Sequence, residues 1–330
     1  MRRLTSYGSI TSSIIVVVSV VAAILLLLHR QWVVDQLSVW QYKPSSEVAS
    51  LTTRAGMNGN GVFYFYASHP QIEEASNFNK NCGRKEASAA ILGCYNGHDI
   101  FIYNVTNAKL DGIREVTAAH EMLHAVYARL NEAEKSRVGE LLTAEYEKLK
   151  NDKTFAERMA FYDRTEPGER ENELHSIIGT EVQSISPELE DYYKKYFSER
   201  HKTVALHQGY ATVFNDLQKR GEEISNRLNQ LAATIESSSA HYNHEVVELN
   251  KDIETFNTRA SNGGFTSEGQ FNAERVVLVS RARQLEVNRA SINTQIAEYN
   301  ALRDELAVVA SESEALSRSI DSNLAPAPSL

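Results

Sequence analysis

Hydrophobic positions recur every seven residues along the last third of the chain. Residues 201–323 contain no proline, and charged residues flank the apolar positions. The heptad rows are Leu217, Ile224 and Leu231, then Leu228, Ile235, Tyr242, Leu249 and Phe256, and finally Leu278, Leu285, Ile292, Tyr299 and Leu306, with Leu302, Val309 and Leu316 beside them. This period is typical of a coiled coil. Because the stretch 260–270 between the rows is rich in Ser, Asn and Gly, residues 201–323 predict an antiparallel hairpin. An ordinary helical bundle is the alternative.

A second apolar pattern lies near the N-terminus. Residues 10–28 carry no charge and are almost wholly apolar from residue 14 onward. Such a segment is long enough to cross a hydrocarbon layer of about 30 Å. It predicts a transmembrane anchor, with residues 1–9 as a short cytoplasmic tail, 29–45 as a juxtamembrane linker and the rest of the chain outside the cytoplasm. A cleaved signal peptide is the alternative, but the run is long for one and no small-residue cleavage site follows it.

The segment between these two patterns, residues 46–200, predicts one independent domain. Stretches rich in aromatic and β-branched residues predict strands at 62–67 and 99–105. Helices are predicted over 44–55, 113–130, 132–150, 153–162, 171–183 and 187–200. A small sheet followed by a run of helices indicates the α+β class. The last residues, 324–330, are rich in proline and small residues and predict a disordered tail.

Composition and charge exclude some classes of function. The 330 residues carry a formal net charge of −9, which argues against nucleic-acid binding. Charged residues at 23% and hydrophobic residues at 42% are near the averages of globular proteins, so the chain is not disordered throughout. The two cysteines, Cys82 and Cys94, have a spacing that suits a local disulfide, which persists in an oxidising compartment. Two buried thiols are the alternative.

The strongest chemical motif is His120-Glu121-Met122-Leu123-His124. Residues four apart lie on one face of a helix, so both imidazoles can bind one metal ion. Glu121 lies about 100° around the helix axis from His120, where it can reach a metal-bound water without binding the ion. The flanking residues 117–126 carry no other charge, as in a helix buried within a domain. A catalytic zinc site needs a third protein ligand, and the helix predicted at 171–183 offers carboxylates. The alternative is a pair of core histidines.

The sequence here resembles the gluzincin group of zinc metallopeptidases, in which this pentapeptide is completed by a glutamate from another helix. The stretch Asn172-Glu173-Leu174-His175-Ser176 is similar to the Asn-Glu-x-x-Ser-Asp motif of thermolysin-like members, with Ile177 in place of the Asp. The resemblance covers residues 95–185. It implies a zincin-like peptidase domain with one Zn²⁺ per chain, bound by His120, His124 and Glu173. Helical geometry places Glu173 on the apolar face, whereas the alternative ligand, Glu181, lies about 80° away.

The resemblance also implies a mechanism, the hydrolysis of peptide bonds by zinc-activated water with Glu121 as the general base. An oxyanion donor is expected as well. His175, Tyr192 and Tyr193 are candidates by their chemistry alone.

Three functions are compatible with these residues. The first is a membrane-anchored zinc metallopeptidase that acts on peptide or protein substrates. The second is a scaffold or adhesion protein in which the coiled coil is functional and the zinc site is structural or inactive. The third is a hydrolase of cell-wall peptides. The expected partners are the membrane, through the N-terminal helix, and a second copy or an envelope protein, through the hairpin, with no nucleic acid.

Overall fold

The chain divides into two compact units. The computed structural model describes residues 15–21, 29–83, 90–165 and 167–324. Residues Met1–Val213 and Leu316–Leu330 belong to the N-terminal unit, and Phe214–Ala315 form the hairpin unit. The predicted cytoplasmic tail, 1–9, lies outside the described residues, and so does the predicted disordered tail, 324–330, apart from Leu324.

The predicted α+β class is wrong, because the structure is mostly helical (77%). Its one described sheet has three strands of three, three and four residues. The helices of the N-terminal unit are α1 (Arg30–Gln41), α2 (Ser46–Arg54), α3 (Gly59–Ala67), α4 (Ala75–Asn81), α5 (Ile113–Arg129), α6 (Glu132–Leu149), α7 (Lys153–Thr165), α8 (Arg170–Glu181) and α9 (Pro187–Tyr193). The strands are β1 (Gln71–Glu73), β2 (Gly93–Tyr95) and β3 (Ile100–Tyr103).

The predicted transmembrane helix is also contradicted. Most of 10–28 lies outside the described residues, and the described part, 15–21, is helical. Within the described ranges, no helix combines the length and the apolar character needed to cross a membrane. This finding overturns the prediction of a single-pass location with a cytoplasmic N-terminus.

The aromatic segment predicted as a strand at 62–67 forms helix α3. The side chain of Asn58 caps this helix by accepting hydrogen bonds from the backbone N–H groups of Asn60 and Gly61. Helix α3 packs so closely that a Cβ on Gly61 would lie 2.3 Å from the carbonyl oxygen of Tyr196. Phe65 is fully buried on the same helix. Capping and tertiary packing therefore override the β propensity of this segment.

The small sheet lies beside the helical core. Its strand order is β1-β3-β2, with β1 parallel and β2 antiparallel to β3. All four residues of β3 are buried, so β3 is the interior strand, as its continuous apolar run suggests. The sulfur atoms of Cys82 and Cys94 lie at disulfide distance, with their Cα atoms 5.8 Å apart, in agreement with the predicted pairing.

Helices α5 and α8 pack at the centre of the N-terminal unit. Both were predicted at nearly these bounds. Small residues permit a close approach, because a Cβ on Gly179 would lie 2.5 Å from Cδ1 of Leu123. Twelve residues of α5 are buried, including Ala118, Ala119 and Met122. Burial on this scale fixes the direction in which the polar side chains of α5 point.

Two long helices, α10 (Arg200–Ser261) and α11 (Glu268–Ile320), follow the core. Within the hairpin unit they are antiparallel, because residues further along α10 form ion pairs with residues nearer the start of α11. The ion pairs between them are Arg220–Glu305, Arg227–Glu298, Asp252–Arg281 and Arg259–Glu274. Ile224, Leu228 and Val309 are buried between the helices, at positions from the predicted heptad rows.

The first turns of α10 belong to the N-terminal unit. Arg200 donates a hydrogen bond of 2.8 Å to the carbonyl oxygen of Val182, and Thr203 donates one to that of Ala55. After α11, Ser322 returns to the same unit, where its carbonyl oxygen accepts a hydrogen bond from Asn79. The N-terminal unit is therefore completed by the two ends of the C-terminal region.

Candidate metal centre

His120, His124 and Glu173 converge in the N-terminal unit. Oε2 of Glu173 lies 3.7 Å from Nε2 of His120, and Oε1 lies 3.5 Å from Nε2 of His124. One ligand atom from each residue lies within 4.8 Å of the others. Tetrahedral zinc with bonds of about 2.0 Å separates its ligand atoms by about 3.3 Å. The three side chains therefore match the donor types and nearly the spacing of a zinc site.

The burial of these ligands also suits a metal. Glu173 is 3% exposed and His124 is 9% exposed. A carboxylate this deeply buried is costly unless it is paired with positive charge or with a metal ion. The two imidazole rings lie 4.7 Å apart, one helical turn from each other on α5.

Hydrogen bonds hold the ring of His124 in place. Oδ1 of Asn172 lies 2.9 Å from its Nδ1, and the Ser176 hydroxyl lies 3.3 Å from the same nitrogen. With a proton on Nδ1 that donates to Asn172, the Nε2 lone pair is directed towards Glu173. The sequence analysis placed Asn172 and Ser176 in the stretch that resembles the thermolysin-like motif, but it did not predict that they orient His124.

Glu121 lies beside the ligands against the edge of the sheet. It is 5% exposed, and a Cβ on Gly93 would come within 2.7 Å of its Oε1. Only glycine fits at this position of β2 without a shift of its neighbours. The carboxylate of Glu121 is therefore confined between α5 and β2.

A cleft of about 520 Å³ opens over the four residues. Its size is within the ordinary range for a ligand pocket. Its walls include β2 and the side chains of Tyr162 and Tyr210. Tyr210 is in α10, and burial raises the pKa of its hydroxyl, which therefore stays protonated. These two tyrosines were missed, because they lie far along the chain from the motif and no local signal marks them.

The alternative ligand Glu181 also lines the cleft, but its carboxylate has other partners. It forms an ion pair with Arg158, and its Oε2 lies 3.3 Å from Nε2 of His207. The structure therefore brings Glu173, and not Glu181, to the two motif histidines.

The proposed oxyanion donors His175, Tyr192 and Tyr193 do not line the cleft. Nε2 of His175 lies 2.8 Å from the Tyr192 hydroxyl, and Tyr193 donates a hydrogen bond to the His175 carbonyl oxygen. Burial, with a smaller contribution from His124, lowers the pKa of His175 to about 3. The imidazole is therefore neutral and belongs to an aromatic cluster in the core.

Comparison with protein-family models, curated proteins and solved structures finds no match to this chain. The inference of function therefore rests on the residues and geometry of the site.

Proposed function

We propose that the chain is a zinc-dependent peptidase. The observation that carries this proposal is the convergence of His120, His124 and Glu173, with Glu121 beside them in one cleft. A structural site needs no carboxylate next to the open side of the ion, whereas hydrolysis needs a base there. This difference favours an enzyme over a scaffold with a structural site.

The proposed reaction breaks a peptide bond with water. When bound, zinc would polarise the carbonyl group and acidify the water. Glu121 accepts a proton from that water as its oxygen bonds to the carbonyl carbon. The carbon–nitrogen bond then breaks, and Glu121 returns the proton to the departing amine. The hydroxyl groups of Tyr162 and Tyr210, in the cleft walls, are our candidates for the donor to the oxyanion.

The edge of the sheet supports a peptide as the substrate. Strand β2 pairs with β3 on one side, and β3 lies between β1 and β2. Within the part of the chain that the structure describes, β2 is therefore an edge strand, and it forms part of the cleft wall. Extended peptides bind to such edges through backbone hydrogen bonds.

The purified full chain is expected to keep one zinc ion after dialysis and to cleave an unfolded protein. A chelator should abolish cleavage, and zinc should restore it, because the ion supplies the electrophile. His120→Ala and His124→Ala should each lose the ion, whereas exposed His201→Ala should not. Elemental analysis and cleavage assays measure these results. A folded wild-type chain without bound metal would refute the peptidase, and cleavage of cell-wall peptides alone would favour the third function.

We infer that the outer part of the hairpin unit serves for interaction and not for catalysis. All residues of the candidate site lie before α10 or in its first turns. The hairpin unit exposes apolar side chains, including Val247 (63%), Val276 (68%) and Val287 (61%). Such side chains are suited to contact with a second copy or with another protein.

Replacing 232–295 by a short Gly-Ser loop should leave zinc content and cleavage unchanged but alter the oligomeric state. The replacement preserves the Arg220–Glu305 and Arg227–Glu298 ion pairs and removes the three exposed valines. Light scattering measures the mass, and circular dichroism checks folding. Loss of zinc from a folded shortened chain would show that the hairpin supports the site, and an unchanged number of subunits would contradict the proposed contact with a second copy.

A further inference from the structure

A second group of metal-binding side chains lies at the start of β3, away from the first set of ligands. His69, His98 and Asp99 each offer one ligand atom, and these atoms lie within 4.8 Å of one another. Oδ1 of Asp99 lies 2.8 Å from Nδ1 of His98 and 3.4 Å from Nδ1 of His69. The two sites share no residue.

The backbone fixes two of these side chains. The side chain of Asn96 accepts hydrogen bonds from the N–H groups of His98 and Asp99, at 2.9 and 2.8 Å. Gly97 supplies the positive φ of 93° that this turn requires. The turn therefore presents His98 and Asp99 side by side without depending on a bound ion.

His69 is held from the other side in an unusual conformation. Within the described residues it is the one non-glycine residue with positive φ, at 37°. The ring of Tyr42 stacks on its imidazole with the centroids 5.6 Å apart, and the Tyr42 hydroxyl donates to the carbonyl oxygen of Pro70. A backbone conformation of this kind is costly and persists where its surroundings enforce it. Here the conformation directs the imidazole at Asp99.

We infer that His69, His98 and Asp99 form a second site for a divalent transition-metal ion of the zinc class. Two imidazoles and one carboxylate are a donor set that zinc accepts. An ion bound between them replaces the protons that these nitrogen–oxygen contacts otherwise share. His98 is 69% exposed, so the remaining coordination position is open to water and the ion exchanges with solvent more readily than at the buried first site.

The position of this site gives it a consequence for the cleft. Gly97, between Asn96 and His98, lines the cleft, and its carbonyl oxygen accepts a hydrogen bond of 2.8 Å from the Tyr95 hydroxyl. A metal ion on His98 and Asp99 therefore links the cleft wall to the segment before β1 that carries His69. The second site braces this wall. The inference is independent of the proposed peptidase, because it concerns separate ligands.

The test is a calorimetric titration with Zn²⁺ of the full chain that carries His120→Ala and His124→Ala. This background is expected to bind one equivalent of zinc. Adding His98→Ala should weaken binding at least about tenfold, because it removes a donor atom. Isosteric Asp99→Asn should do the same, because a neutral amide is a much weaker ligand for zinc than a carboxylate. His241→Ala, an exposed histidine of the hairpin unit, is the matched control and should change nothing.

Thermal unfolding separates loss of the site from loss of the fold. Zinc should raise the unfolding temperature of the His120→Ala/His124→Ala chain, because the ion binds the folded state, and His98→Ala should remove that increase. The inference is overturned if the background variant binds no zinc, or if both His98→Ala and Asp99→Asn bind zinc as the background does. If the wild-type chain binds only one equivalent of zinc, at the first site, the second site is refuted and the peptidase proposal is unaffected.

Discussion

Replacing Glu121 by glutamine is expected to lower kcat by about a hundred- to ten-thousand-fold while zinc remains bound. The amide has nearly the same shape as the carboxylate and still fits between α5 and Gly93, so the fold is preserved. It cannot accept the proton of the attacking water. The loss should therefore appear in kcat, with little change in KM. Cleavage kinetics and elemental analysis of the same preparation measure both quantities.

The matched control for this variant is Glu169→Gln. Glu169 lines the same cleft, and its carboxylate accepts a hydrogen bond from the side chain of Asn172, which an amide oxygen also accepts. The control removes one negative charge from the cleft without removing the proposed base. Equal losses in both variants would indicate an electrostatic effect of the cleft, and full activity in Glu121→Gln would assign the base to another residue.

The position of the two motif histidines was predictable because its signals are local. His120 and His124 are four residues apart on a helix that is apolar around them, and this spacing alone places both imidazoles on one face. The helix predicted at 113–130 is confirmed as Ile113–Arg129. For Glu173 the apolar face of its helix indicated the direction, and the structure orients its carboxylate to the two histidines.

The parts that sequence reasoning missed depend on contacts between distant segments. The strand expected at 62–67 is helical because Asn58 caps it and Tyr196 packs against it, and neither contact is visible in the aromatic pattern. The linker expected at 29–45 contains helix α1, which Arg129 holds through an ion pair of 2.9 Å with buried Asp35. These packing contacts explain why the fold is more helical than its local propensities predict.

The cleft walls were missed for the same reason. Tyr210 lies in a region whose seven-residue period predicted a coiled coil, and the two long helices are confirmed. The predicted coiled-coil region begins at residue 201, but the first turns of α10 pack in the N-terminal unit, where a Cβ on Gly112 would lie 2.8 Å from Leu206. Periodicity reveals which face of a helix is buried but not which partner buries it.

Removing the carboxylate of Glu173 is expected to weaken metal binding strongly. Glu173→Ala should weaken zinc binding by at least about a hundredfold, because it removes a direct ligand and leaves two neutral imidazoles. Glu173→Gln preserves the side-chain volume, so it distinguishes loss of the ligand from a cavity next to α5. Competition with a chromogenic chelator measures the affinity, and circular dichroism confirms the fold of each variant.

Glu181→Ala is the decisive comparison, because Glu181 is the other carboxylate that the sequence offered as the ligand. In the structure it pairs with Arg158 and His207. Its loss leaves Arg158 without this partner beside His207, whose pKa is already lowered to about 4 by burial and by that arginine. The variant should therefore unfold at a lower temperature but bind zinc as tightly as the wild type. If Glu181→Ala weakens zinc binding and both Glu173 variants bind zinc as the wild type does, the third ligand is Glu181 and not Glu173.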